Sequence, residues 1–300
     1  MRTGYALLLL IYMGTAHGQA DSIRMDSLLA HVRFLASDEL RGRQTGTAGN
    51  AAAARYITQR FQAYGLKPLT ADYRQPFQFY SRLTKQAYKG ANLIAMVEGS
   101  AQPDSFLVIS AHYDHIGVRE GAVYNGADDN ASGVGALLEL ARYFQAHPAP
   151  YSLIFAAFDA EEMGLQGARH FVDDPPVAFS KIGLNINLDM IGRNANEEIY
   201  VCGTSHYPRF RPPLERLGQR ADIALRLGHD SPGLGPGGDW TFASDHGAFH
   251  RKGVAFLYFG VEDHADYHQP TDDASRIMPA FYLGAANLIR SAIVQLTWPE

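Results

Sequence analysis

Cysteine is nearly absent from this sequence: Cys202 is the only one in 300 residues. No disulfide framework can form, and stability has to come from core burial. Cys202 stands in "EIYVCGT", which reads as a strand, so the expectation there is a buried inert thiol and not a nucleophile. An excess of one charge is missing too. The chain carries 26 Lys and Arg against 31 Asp and Glu, a formal net charge of -5. Without a basic stripe or basic residues interleaved with aromatics, this composition argues against nucleic acid as a partner.

Long apolar runs are lacking beyond the first 20 residues, so no later segment approaches membrane-spanning length. The opening "MRTGYALLLLIYMGTAHGQA" joins Arg2 to an apolar stretch from Tyr5 to Met13 and to small residues at Ala16, Gly18 and Ala20. That is the form of a secretory signal peptide. The expectation is therefore a signal peptide over 1–20, an exported protein (periplasmic or extracellular) without a membrane anchor after cleavage, and one catalytic domain over 21–300. Internal repeats and linkers are absent from the pattern.

What is present is a core-forming composition, 46% hydrophobic and 19% charged. Amphipathic spacing predicts helices over Asp26–Ser37 and Ala48–Gly65. Apolar, β-branched runs predict strands at Asn92–Gly99, Ser105–Asp114, from Leu153, at Gly183–Gly192, in "EIYVCGT" and in "GVAFLYFG". Between and after them lie predicted helices over Ser132–His147, Gly164–Val172 and Pro213–Ala221, a short one after Ser244, and a long one over Asp272–Leu296. Several of the strands are apolar throughout. Alternating with helices, they predict an α/β fold, a three-layer sandwich with a mixed, mostly parallel central sheet flanked by helices.

Ligands of open α/β sheets collect where strands end, and the polar residues predicted there are chemically uniform. "HYDHIG" brings His112 and Asp114, "GADDNASG" brings Asp128 and Asp129, "AEEMG" brings Glu161 and Glu162, "NLDMIG" brings Asp189, and "DYHQPTDD" brings His268. Alone, His112 and Asp114 read as structural and Asp128 as a helix cap. Together, these carboxylates and the two imidazoles cannot stay uncompensated. Nitrogen and oxygen donors without thiolate suit zinc or a similar divalent ion, and two cations balance the charge better than one.

The ordered blocks "HYDHIG", "GADDNASG", "AEEMGLQG", "LDMIG" and "HQPTDD" resemble the signature of the secreted di-zinc aminopeptidases, metallopeptidases related to glutamate carboxypeptidase and glutaminyl cyclase. The similarity runs from about Asn92 to the C-terminus. It implies a zinc-exopeptidase-like fold and two co-catalytic zinc ions, one held by His112 and Asp189, the other by Glu162 and His268, with Asp128 bridging. It also implies Glu161 as general base, Asp114 orienting His112, Asp129 positioning Asp128, and a cis peptide between Asp128 and Asp129.

The implied substrate is a peptide with a free N-terminus, since the residues available to meet a terminal group are acidic. Glutaminyl cyclase, with one zinc, and carboxypeptidase or dipeptidase activity on the same metal centre are the alternative readings. The relatives often carry a tyrosine just ahead of the block that corresponds to "SDHGAF". This chain has none there, so Tyr267 or His246 is left as the possible substitute, and Ser244 with Asp245 reads as a helix cap.

Overall fold

The computed structural model describes residues 22–296 except 83, 232–233 and 235–236, so the expected signal peptide lies outside the described residues. The strands are β1 (Lys67–Pro68), β2 (Arg74–Ser81), β3 (Gln86–Val97), β4 (Gln102–His112), β5 (Gly117–Arg119), β6 (Ala122–Tyr124), β7 (Tyr151–Phe158), β8 (Ile182–Leu188), β9 (Glu198–Cys202), β10 (Ala224–Leu227) and β11 (Ala255–Gly260). The α-helices are α1 (Met25–Leu35), α2 (Ala48–Ala63), α3 (Gly133–Ala146), α4 (Gln166–Asp173), α5 (Arg211–Gly218), α6 (His246–Arg251) and α7 (Pro279–Gln295).

Every residue of β7 is buried, because the strand is covered on both faces. Leu153, Phe155 and Ala157 enter an apolar cluster shared with α1, α2, α3, α5 and α7, whereas Ile154, Ala156 and Phe158 enter another shared with α4 and α6. The period-2 geometry of a strand sends successive side chains to these opposite layers. That is the expected three-layer sandwich.

The sheet runs β1-β3-β7-β4-β8-β11-β9-β10, with β2 also paired to β3. The central pairs β7/β4, β4/β8 and β8/β11 are parallel, while β3/β7 and β11/β9 are antiparallel. His112 lies opposite Phe158, and Ser110 opposite Asn187. Three neighbouring parallel strands thus end side by side, and whatever follows His112, Phe158 and Leu188 converges on one edge.

Two expectations are corrected. The C-terminal helix starts at Pro279, not Asp272, because the Asp273 carboxylate accepts from Ser275 N and closes a separate 3-10 turn over Ala274–Arg276; proline then opens the helix, where its missing N–H costs nothing. The hairpin β2–β3 was missed. Pro76 interrupts the run "RQPFQFYS", yet among the described residues β2 pairs only with β3, and an edge strand tolerates proline. No helix among the described residues is long and apolar enough to cross a membrane.

Candidate active site

The turn after β7 resolves the crowding of acids in "FDAEEMG". Asp159 is buried and structural: its carboxylate accepts from Thr45 Oγ1 (2.9 Å), Asn50 Nδ2 (3.0 Å), Ala91 N (3.0 Å) and Tyr113 OH (3.0 Å). Ala160 then adopts φ 58, a left-handed conformation uncommon for a residue with a Cβ, and swings the chain off the strand. Asp114 captures this turn from the neighbouring strand end, accepting from Glu161 N (3.0 Å) and Glu162 N (3.3 Å). The two glutamates leave in different directions. The charges that act most on Glu161 are His112, Asp189 and Asp245, whereas Glu162 meets His115 and His268.

Two groups of side chains are spaced to hold metal ions. In the first, His112 Nε2 lies 3.2 Å from Asp129 Oδ1 and 3.3 Å from Asp189 Oδ1. In the second, His115 Nδ1 lies 2.8 Å from Glu162 Oε1 and 3.6 Å from Asp129 Oδ2; beside it, His268 Nε2 lies 3.0 Å from Asp129 Oδ2 and 3.5 Å from Glu162 Oε2. Asp129 offers one oxygen to each group. The donors are imidazole and carboxylate, a set suited to zinc.

The electrostatics of the protein alone show how strongly these groups lean on one another. Burial and Asp129 act to raise the Glu162 carboxyl, but His115 and His268 outweigh them and hold it at about 2. Burial acts to lower His268, and the carboxylates of Asp129 and Glu162 lift it instead to about 10. Burial pushes Glu161 well above the usual carboxylate range, helped by Asp189 and Asp245 and opposed by His112.

His112, Glu161, Glu162, Asp189 and His268 come together as the sequence led one to expect. Asp128 does not. Its Oδ1 accepts from Gly192 N (2.7 Å) and its Oδ2 faces His264 Nε2 (3.0 Å), so both oxygens are committed away from the two groups and Asp129 occupies the shared position. The cis peptide likewise sits one residue on, at Asp129–Asn130. Asp272 fixes this segment by accepting from the N–H groups of Asp128 (3.0 Å) and Asp129 (3.1 Å). Asp114 is also refined: His112 Nδ1 lies 3.2 Å from its backbone carbonyl but 3.7 Å from its carboxylate, which is devoted to the glutamate turn.

Other residues were missed. Arg43 is fully buried beneath the site and donates to the carbonyls of Tyr113 (2.9 Å), Leu35 (2.6 Å), Asn125 (2.5 Å) and Gly126 (3.0 Å). It ties the loop after β4 to the loop that leads into Asp129. Burial lowers its guanidinium to about 10, while Asp129 and Asp114 act to raise it. Asp245 was expected as a helix cap, yet it makes no capping bond; both its oxygens are buried without a hydrogen-bond partner among the described residues, and burial pushes its carboxyl up to about 7. Ser244 accepts from Asn187 Nδ2 (2.9 Å). His115, which meets Glu162, was missed as well; it stands in "HYDHIG" and Arg43 in "LRGR", but neither carries its partner in sequence.

A cavity of about 340 Å³ opens over both groups. Its polar side is His112, Asp129, Glu161, Glu162, Asp189, Asp263 and His268, and its other wall includes Met190, Trp240, Tyr258 and Val261; no Lys or Arg lines it among the described residues. Tyr267 lines it as well, stacked on His268 at 4.0 Å. His246 stands behind the wall, stacked on Tyr258 at 4.4 Å and 2.8 Å from the Trp240 carbonyl.

A mixed sheet with imidazoles and carboxylates gathered at its parallel strand ends makes this an α/β protein with a candidate metal centre. The model of peptidase family M28 matches residues 92–293, and the chain belongs to that family. It is similar to aminopeptidase YwaD of Bacillus subtilis (31% identical over 207 residues, 66% of this chain and 42% of the relative). It is also similar to an aminopeptidase of Pseudomonas aeruginosa (36% over 169 residues, 53% and 29%). The match thus spans less than half the length of these curated relatives. Among solved structures, an aminopeptidase from Aneurinibacillus sp. strain AM-1 superposes with a TM-score of 0.75 at 18% identity, covering 94% of this chain and 96% of that one. A glutaminyl cyclase from Bacteroides thetaiotaomicron gives 0.73 at 18% identity, covering 92% and 99%. At that identity the likeness is one of fold.

Proposed function

We propose that the chain is a zinc-dependent aminopeptidase that removes the first residue from peptides with a free N-terminus. The observation that carries this reading is the cavity lining: two histidine–carboxylate groups sharing Asp129, the proton-accepting side chain of Glu161 beside them, and acidic residues with no basic clamp. A terminal ammonium is welcome there, whereas the carboxylate end of a peptide would want an arginine or lysine.

His112, Asp129 and Asp189 would hold one zinc; Asp129, Glu162 and His268 would hold the other. When bound, zinc supplies Lewis acidity that polarises a peptide carbonyl and acidifies water. Glu161 is the proton carrier: its carboxylate takes a proton from the attacking water and returns it to the leaving amine, and its raised pKa suits a group that must both accept and donate. Asp114 keeps Glu161 and Glu162 apart by gripping both backbone N–H groups. The Trp240, Tyr258, Met190 and Val261 wall accommodates the first side chain.

The experiment is a panel of aminoacyl chromogenic amides with N-acetylated controls. Release from free substrates alone supports the reading; equal cleavage of acetylated ones, or residues leaving from the C-terminal end, defeats it. Cyclisation of an N-terminal glutamine peptide with ammonia release, by protein holding one zinc per chain, would favour the cyclase alternative.

A further inference from the structure

A second cavity, of about 320 Å³, adjoins the one over the metal-binding groups, and Glu162 and Gly164 line both. The turn after β7 is thus the sill between them. Gly164 keeps that sill low: its φ is +95, a conformation that favours glycine, and a Cβ built there would meet nothing nearer than Gln166 Nε2 at 3.6 Å, so the space beside it is open. The two cavities differ in charge. The first is acidic and shows no Lys or Arg among its described lining residues, whereas the second carries Arg119, at the end of β5, with Gln44 and Thr45 as polar neighbours and Ile116 and Met163 as apolar ones. The two carboxylates that reach the second cavity are already spent: Asp114 holds the N–H groups of Glu161 and Glu162, and Glu162 faces His115 and His268. Arg119 is not spent. It is exposed, its guanidinium lies 5.9 Å from the centre of the Tyr124 ring, and among the described residues it forms no ion pair.

We propose that the second cavity receives the leaving part of the substrate, and that Arg119 holds the C-terminal carboxylate of a short peptide whose free amine lies in the first cavity. This rests on the aminopeptidase reading above. A peptide cut after its first residue must carry the rest of its chain past the turn that holds Glu161, the group that returns a proton to the leaving amine, and the open sill at Gly164 leads into the cavity that bears the cation. The planar guanidinium fork matches a carboxylate. An amine drawn to the acidic cavity and a carboxylate drawn to Arg119 orient a short peptide in one direction only. Each added residue extends the chain by at most about 3.3–3.6 Å, so the carboxylate of a longer peptide passes beyond Arg119 and the advantage fades.

The test is release of leucine by the whole protein, supplied with zinc, from Leu-Gly, Leu-Gly-Gly and a leucine followed by four glycines, each as the free acid and as the C-terminal amide. For the two shorter peptides kcat/KM should favour the acid by roughly 3- to 10-fold, the range of a charge-assisted contact at an exposed group, and for the longest the ratio should fall to about one. Arg119→Gln should bring the short-peptide ratio to about one, and Arg119→Glu should reverse it. The ratio is taken within one protein, so a variant that yields less active material still reports it. An acid-to-amide ratio of about one at every length in the unaltered protein, or a preference that survives Arg119→Gln, would overturn the proposal. Equal cleavage of N-acetylated forms would instead defeat the aminopeptidase reading itself, a different result from a lost ratio.

Discussion

The adjacent pairs Asp128–Asp129 and Glu161–Glu162 show how one position in sequence changes a residue's chemistry. Asp129 shares its two oxygens between His112 and His268, whereas Asp128 spends both of its own on Gly192 and His264. Asp129→Asn should therefore drive bound zinc per chain toward zero, and Asp128→Asn should leave it near the unaltered level; elemental analysis of the two proteins decides, and the reverse pattern would restore Asp128 to the centre. Glu161→Gln should keep its zinc while activity falls by about 10²–10⁴-fold, because it loses a proton acceptor and no ligand. Near-normal turnover would remove Glu161 from its role. His246 titrates in a different sense. Burial lowers its pKa to about 3, below the unfolded value near 6.5, so its contribution to stability is present above pH 6.5 and is lost as pH falls toward 3. Between these limits the slope from this group is about 1.4 kcal/mol per pH unit, and urea denaturation of His246→Gln should show a correspondingly flatter acid limb.

At the scale of elements, the site depends on loops held from below. The short 3-10 segment Asp38–Arg43 carries Arg43 into the core, where a single guanidinium accounts for carbonyls of α1, of the loop after β4 and of the loop before Asp129. Lysine retains a charge but lacks the planar fork that reaches those acceptors together. Arg43→Lys should cost at least about 3 kcal/mol, from hydrogen bonds worth about 1.5–3 kcal/mol each when one partner is charged, measured on zinc-free protein by urea denaturation. A loss under 1 kcal/mol would show that the clamp is dispensable.

For the whole molecule, the proposed ligands come from the end of β4, the segment between β6 and α3, and the loops after β7, β8 and β11, so metal occupancy should be a property of the fold. An ion that binds only the folded chain stabilises it by about 4 kcal/mol when present at 1,000 times its Kd, and at this size 1 kcal/mol moves the melting temperature by about 2–4 °C. A chelator should thus lower it by roughly 10 °C, with recovery on adding zinc. An unchanged melting curve would mean that the folded protein holds no tightly bound metal.

The sequence by itself determined the α/β class, most of the central strands and five of the side chains that meet at the site, because apolar runs, period and motif blocks are local properties. It left β2 hidden, since proline and alternating glutamine obscure a strand that pairs with β3 at the sheet edge. It could not choose between Asp128 and Asp129. That choice is made by Asp272, Gly192 and His264, which grip the segment from far along the chain. Arg43 was equally illegible, because its acceptors are backbone carbonyls, which every residue has and no side chain announces. Tertiary structure alone decided these points: where a side chain can turn depends on which of its neighbours' hydrogen bonds are already spent.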